Sequence, residues 1–204
     1  MILSVVIPTY HRLPILRQCL QALERQSQEP PLEGYEVVVV DDGSTDATVA
    51  WLEGAIAAGE LPHLRLIRQE HGGPAQGRNR GVEAARGDVI VFIDSDLVVG
   101  PHFLLSHARS LEQDWRRSGD RLSFTYGAVI NTADFHNPTA ERHKLRDLSW
   151  AYFATGNVAI ERALLERARM ALVFFRKHPS WRVRFIIQYT WLHLLLWNLL
   201  TLGG

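Results

Sequence analysis

The sequence predicts an α/β fold in which a mostly parallel, Rossmann-like sheet carries helices on its faces. Two observations predict it. Four short runs, Leu3 to Ile7, Glu36 to Val40, Leu64 to Arg68 and Val89 to Ile93, are rich in Val, Ile and other apolar residues, the signature of strands buried on both faces. Between them lie stretches with helical spacing or helix-boundary residues. Strands alternating with helices imply right-handed crossovers in the order β-α-β-α-β-α-β.

Each element has its own justification. After the first run and Pro8-Thr9-Tyr10-His11, the residues Leu13, Leu16, Cys19, Leu20 and Leu23 predict a helix from Leu13 to about Gln26. The second run ends in Asp41-Asp42-Gly43-Ser44-Thr45-Asp46, and a helix is expected from Asp46 to about Ala58 with Ser44 or Thr45 as its N-cap. After the third run a helix is expected from Asn79 to about Arg86, closed by Gly87. The fourth run ends in Asp94-Ser95-Asp96. His102 and His107 then fall on an expected surface helix, and Trp115-Arg116-Arg117 read as its solvated end.

Composition bounds the rest. A chain of 204 residues, 47% of them hydrophobic, can bury one good core, so one domain with an appendage is expected. A single cysteine, Cys19, excludes an intramolecular disulfide framework and suits a reducing compartment. The first residues lack a basic segment and a small-residue cleavage site, so no signal peptide is expected and cytoplasm is the default. Formal net charge is zero.

Three polar segments share one position in such a sheet. Pro8 to His11, Asp41 to Asp46 and Asp94 to Asp96 all follow the carboxyl ends of parallel strands, where open α/β sheets bind ligands. The segment at 41–46 also fits an ordinary strand-to-helix turn, with Gly43 supplying positive φ. Asp94 and Asp96 repel each other unless something positive lies between them. A divalent cation with oxygen ligands, magnesium or manganese, does this and carries phosphate as its other partner.

VVIPTYHR at 5–12, VVVVDDGSTD at 37–46, GGPAQGRNRG at 72–81, FIDSDL at 92–97 and TGNVAI at 155–160 together resemble the ordered motifs of family 2 glycosyltransferases. The resemblance covers about residues 1–166 and implies a GT-A fold and an inverting, metal-dependent sugar transfer. It implies that Pro8, Thr9 and Tyr10 line the nucleotide pocket, bordered by Arg12 and Ser95, and that Asp41 or Asp42 accepts a hydrogen bond from the base, usually uracil. Arg78 and Asn79 match positions beside the base and diphosphate. Asp94 is expected near the ribose or a metal-bound water, and Asp96 on the metal, so Asp94 and Asp96 form the expected site for Mn2+ or Mg2+. Thr155, Gly156 and Asn157 match the loop that meets the donor sugar or acceptor. The implied partners are a nucleotide-diphospho-sugar, a UDP-sugar by family habit, and a glycan or lipid-linked acceptor of cell-envelope synthesis.

The sequence also departs from that pattern. An acidic pair expected downstream to supply the catalytic base is missing, since Glu161 and Glu166 are the last acidic residues. The base is therefore unassigned, and the acceptor half is expected to be compressed or lost, leaving a transferase that binds nucleotide-sugar and metal without efficient turnover as the alternative. Residues 167–204 form a second expected unit, a basic then apolar helical tail. Arg162, Arg167, Arg169, Arg176, Lys177, Arg182 and Arg184 precede an uncharged run from Phe185 that includes Trp191 and Trp197. Such a tail suits an interfacial helix on an anionic membrane surface, peripheral to the inner face of the cell membrane; a core helix packed on the sheet is the other reading. No nucleic-acid partner is expected, because no aromatic stacking module accompanies the basic residues.

Overall fold

The computed structural model describes residues 1–130 and 156–168. Six strands form one sheet there, in the order β3-β2-β1-β4-β6-β5. They are β1 (Ile2–Thr9), β2 (Gly34–Asp41), β3 (Leu64–Arg68), β4 (Val89–Ile93), β5 (Phe124–Tyr126) and β6 (Asn157–Glu161). β1 pairs in parallel with β2 and β4, and β2 with β3. β6 runs antiparallel to both β4 and β5. The helices are α1 (Leu13–Leu23), α2 (Thr48–Ala57), α3 (Pro74–Ala84) and α4 (Phe103–Ser118), and residues 162–168 are again helical.

The two-faced burial expected of the strands holds for β1, β2 and β4, whereas β3, at the sheet edge, buries only Leu64 fully and leaves Arg68 exposed. Along β1, Leu3, Val5 and Ile7 face one apolar cluster and Val6 the other; along β4, Val89, Val91 and Ile93 face the first, Ile90 and Phe92 the second. α1 and α4 close the first face with Leu16, Leu20, Leu23, Leu104, Leu105 and Leu111, all fully or almost fully buried. Each such leucine contributes about 1.5–3 kcal/mol relative to exposure. Ala85, Ala168 and Val158 lie on the second face, with Val82 of α3 and Leu164 packed against them.

Several expectations shift locally. α2 begins at Thr48, not Asp46, and its first turn is capped by neither Ser44 nor Thr45: Asp46 Oδ1 accepts the Thr48 N–H at 3.0 Å. Ser44 and Thr45 bond His11 instead. α3 starts five residues before the expected Asn79, because Pro74 supplies a pre-set φ at its first turn and the preceding Gly73 holds φ 86°. Its Gly81 is required by packing: a Cβ there would overlap the Val6 side chain of β1. His107 is not a surface residue, being only 6% exposed, and Trp115 of the expected solvated end packs against the core. β5 and β6 carry no strand signal in the sequence. The expected tail at 167–204 lies almost wholly outside the described residues. Among the described residues no helix is long and apolar enough to cross a membrane.

Candidate functional site

The carboxyl ends of β1, β2 and β4 open into a cleft of about 400 Å³. Pro8, Thr9, Tyr10 and Arg12 line it from the end of β1, Asp42 from β2, His71, Pro74 and Arg78 from the start of α3, and Asp94, Ser95 and Asp96 from β4. Nine of the sequence-derived residues thus meet in one place. Asp41 lies behind them, 1% exposed, beside a shallower depression that includes Gly43 and Gln69. Asn79 is half-buried on α3 and does not line the cleft.

The two aspartates of the β4 segment are not left to repel each other. Arg78 Nη2 donates to Asp94 Oδ1 at 2.5 Å, and Arg12 Nη1 to Asp96 Oδ2 at 2.6 Å. Arg12 precedes α1 and Arg78 sits within α3, so the chain brings one cation from each neighbouring helix to the strand end. Both carboxylates remain 43% exposed at the side chain. The Arg12–Asp96 pair is exposed on both sides and is worth at most about 1 kcal/mol, whereas Arg78 meets Asp94 from a side chain that is only 12% exposed. Among the described residues no three His, Cys, Asp or Glu side chains cluster as a complete metal cage. Two half-exposed carboxylates nevertheless fit a magnesium- or manganese-type site, which takes one or two protein carboxylates and completes itself with water and substrate phosphate.

The β2 loop is organised by Asp42. Oδ1 accepts from Gln69 Nε2 (2.6 Å) and the Gly72 N–H (2.9 Å), and Oδ2 from the Gly73 N–H (2.8 Å) and His71 Nδ1 (2.9 Å). Burial opposes ionisation here, but Gly72, Gln69 and Gly73 outweigh it and hold the carboxyl below its ordinary range. His11, at φ 52°, ties the β1 loop to the β2 loop: its N–H donates to Ser44 Oγ, and its Nε2 accepts the Thr45 N–H at 2.9 Å. Tyr10 stacks on both His11 and His71, with centroids 4.0 and 4.3 Å away. Sequence reasoning missed His71 and Gln69. The only available signal was their place just before the glycine pair at 72 and 73.

Several polar atoms on this edge have no partner among the described residues. Thr9 Oγ1, Asp41 Oδ1 and Arg78 Nε are buried and unbonded, a costly state that a bound polar ligand relieves.

The segment matching the sugar or acceptor loop divides. Thr155 lies outside the described residues. Gly156 lies against the cleft, where a Cβ would stand 2.9 Å from Asp94 Oδ2. Asn157 opens β6 and is 9% exposed; its amide is engaged by His107 Nε2 at 2.9 Å and the Ala128 carbonyl at 3.2 Å. Burial lowers the His107 pKa and keeps the ring neutral, with Asn157 opposing the shift and Thr125 Oγ1 at its other nitrogen. Glu161 pairs in register with Val89, at the amino end of β4, whereas Asn157 pairs with Ile93. Four residues of strand, about 13 Å, therefore separate Glu161 from the cleft edge.

The model of the family described as Glycosyl transferase family 2 matches residues 4–168. The chain belongs to glycosyltransferase family 2. Among its family relatives, the succinoglycan biosynthesis protein ExoW of Rhizobium meliloti is 30% identical over 82% of this chain and 57% of its own length. The glycosyltransferase EpsJ of Bacillus subtilis is 27% identical over 83% of this chain and 50% of its own. Among solved structures, TarS of S. aureus in complex with UDP is 26% identical with a TM-score of 0.58, covering 82% of this chain and 48% of that one. The mannosyltransferase PcManGT of Pyrobaculum calidifontis, bound to GDP-Man and Mn2+, shares the fold at 24% identity and TM-score 0.60, over 81% of this chain and 46% of that one. The chain thus spans about half the length of these proteins.

Proposed function

We propose that this chain binds a nucleoside-diphosphate sugar, a UDP-sugar, at the carboxyl edge of the sheet and transfers its sugar to a glycan or lipid-linked acceptor in cell-envelope polysaccharide synthesis. The carrying observation is the cleft itself: two arginine-neutralised carboxylates, an aromatic face on Tyr10 and unbonded Thr9 and Arg78 atoms converge there. The likeness to TarS, which binds UDP, supports the nucleotide.

Asp96, with Asp94 beside it, would hold Mn2+ or Mg2+, and the ion when bound offsets charge developing on the leaving diphosphate. Arg12 and Arg78, released from those carboxylates, reach toward the same diphosphate; guanidinium groups suit phosphate oxygens in bidentate geometry. Tyr10 offers a stacking face to the base and Asp42 an acceptor for its ring N–H. Gly156 leaves space beside Asp94 for the sugar, Ser95 and Pro8 close the cleft floor, and Asn157 acts by fixing the strand that carries Gly156. In an inverting transfer a carboxylate takes the acceptor proton. Glu161 does not serve, since it sits at the other end of β4, and the base is left unassigned. A donor-binding chain with slow turnover is the second reading, favoured by that placement of Glu161. The proposed location is peripheral on the inner membrane face, through the tail at 167–204.

Native mass spectrometry with UDP-, GDP- and ADP-sugars plus Mn2+, followed by assay of nucleotide release, tests this. UDP-sugar retained and UDP released over many turnovers is the expected result. Retention without release selects the slow reading, and retention of none of the donors overturns the proposal.

A further inference from the structure

We infer that the His71 imidazole occupies the nucleobase subsite of the cleft and thereby sets the affinity and selectivity for the donor's base. This rests on the donor reading above and adds a residue to it.

The subsite is defined by two groups that together suit a planar heterocycle bearing a ring N–H. One is the exposed face of Tyr10, and the other is the Asp42 carboxylate. His71 uses both at once. Its ring stacks on Tyr10 at 4.3 Å with planes 29° apart, and Nδ1 lies 2.9 Å from Asp42 Oδ2 and 3.2 Å from the Asp42 carbonyl oxygen. Both atoms facing Nδ1 are acceptors, so Nδ1 carries the proton and the imidazole presents a ring N–H to a carboxylate. An imide or amide N–H of a pyrimidine would make the same pair of contacts.

The two cannot share the place. Asp42 has four acceptor sites, and Gln69, Gly72 and Gly73 already take three. Of its four partners His71 is the one that can leave cheaply. The side chain is 60% exposed, and its departure gives up only side-chain contacts, from Nδ1 to the Asp42 carboxylate and carbonyl oxygen and from the ring to Tyr10, whereas Gly72 and Gly73 are tied down through their backbone N–H groups just before α3. Rotation about its own side-chain bonds swings the ring outward. A subsite filled by the protein's own ring for nine-tenths of the time weakens apparent affinity roughly tenfold. A stack plus a charge-assisted hydrogen bond, screened by solvent, is of that order.

The measurement is the dissociation constant of UDP, and separately of inorganic pyrophosphate, both with Mn2+, for the full chain and for His71→Ala and His71→Phe. Pyrophosphate reaches the metal and arginines but has no base, so it reports on the remainder of the cleft. The expected result is UDP binding about tenfold tighter in His71→Ala, a smaller gain in His71→Phe, which keeps a stacking ring but loses the N–H, and unchanged pyrophosphate binding in both. UDP binding unchanged or weaker in His71→Ala, or an equal gain for pyrophosphate, overturns the inference while leaving the donor reading standing. Failure of the unaltered chain to bind UDP at all overturns both.

Discussion

β4 meets carboxylates at both of its ends, in opposite circumstances. Asp94 and Asp96, just past its carboxyl end, are half-exposed and each is met by an arginine. Glu161, beside Val89 at the amino end, is 3% exposed, and neither of its oxygens has a hydrogen-bond partner among the described residues. Burial pushes its carboxyl up to about 7; Ser123 N–H and Arg121 favour the charged form without closing a hydrogen bond, and Asp120 and Asp114 oppose it. The difference separates two uses of acidic residues. At one edge charge is kept wet and loosely neutralised, ready to exchange an arginine for a ligand; at the other it is sealed in, and protonation is the way it is relieved.

The largest expected effect concerns how the carboxyl edge is assembled. Gly81→Ala drives a methyl group into Val6 and lifts α3, with Arg78, off β1; it is expected to cost ~2–3 kcal/mol in urea unfolding. A neutral result would mean that the α3–β1 packing does not place Arg78.

Asp42→Ala comes next. It strands the Gly72 and Gly73 N–H groups and the Gln69 amide, and ~1–2 kcal/mol of stability should be lost. Because the folded carboxyl is held below its ordinary value, its contribution is full above the unfolded pKa of about 4 and disappears as pH falls through the lower folded value. Chemical denaturation of both forms should therefore differ at pH 7 and converge in strong acid.

The effect at the amino end of β4 has the opposite sign. Glu161 has a raised folded value, so its contribution is fully present below the ordinary 4.5 and is lost as pH rises through about 7. Glu161→Gln should be close to neutral at pH 4 and more stable than the unaltered chain at pH 8, by up to ~3 kcal/mol for a shift of this size, with UDP binding unchanged. A variant equally destabilised at both values would mean that Glu161 has a partner after all, and would erase the contrast between the edges.

How far these edges could be read in the sequence follows the same division. The four parallel strands and the polar segments at their carboxyl ends were legible, because burial on both faces leaves continuous Val and Ile runs and the crevice rule then locates the ligand edge. The arginine partners were not. Arg12 and Arg78 could be placed near the site by motif, but their pairing with Asp96 and Asp94 is a meeting of residues 84 and 16 positions apart that no local pattern encodes. His71 was hidden for the same reason, since its role comes from Tyr10 and Asp42 on other segments. His107 looked like a surface residue because a polar side chain on an amphipathic helix carries no mark of the Thr125 and Asn157 partners that permit its burial. β5 and β6 were missed because a three-residue strand has too little pattern, and NVAIE was absorbed into a motif read as a loop.

The account rests on Asp96 being the carboxylate that makes the carboxyl edge a metal-assisted diphosphate site. Thermal unfolding with UDP, with and without Mn2+, in the unaltered chain and in Asp96→Ala measures this directly. The account predicts that UDP raises the midpoint by several degrees only when Mn2+ is present, and that Asp96→Ala abolishes the rise while leaving the midpoint without ligand nearly unchanged. Equal protection of Asp96→Ala by UDP and Mn2+ would contradict it.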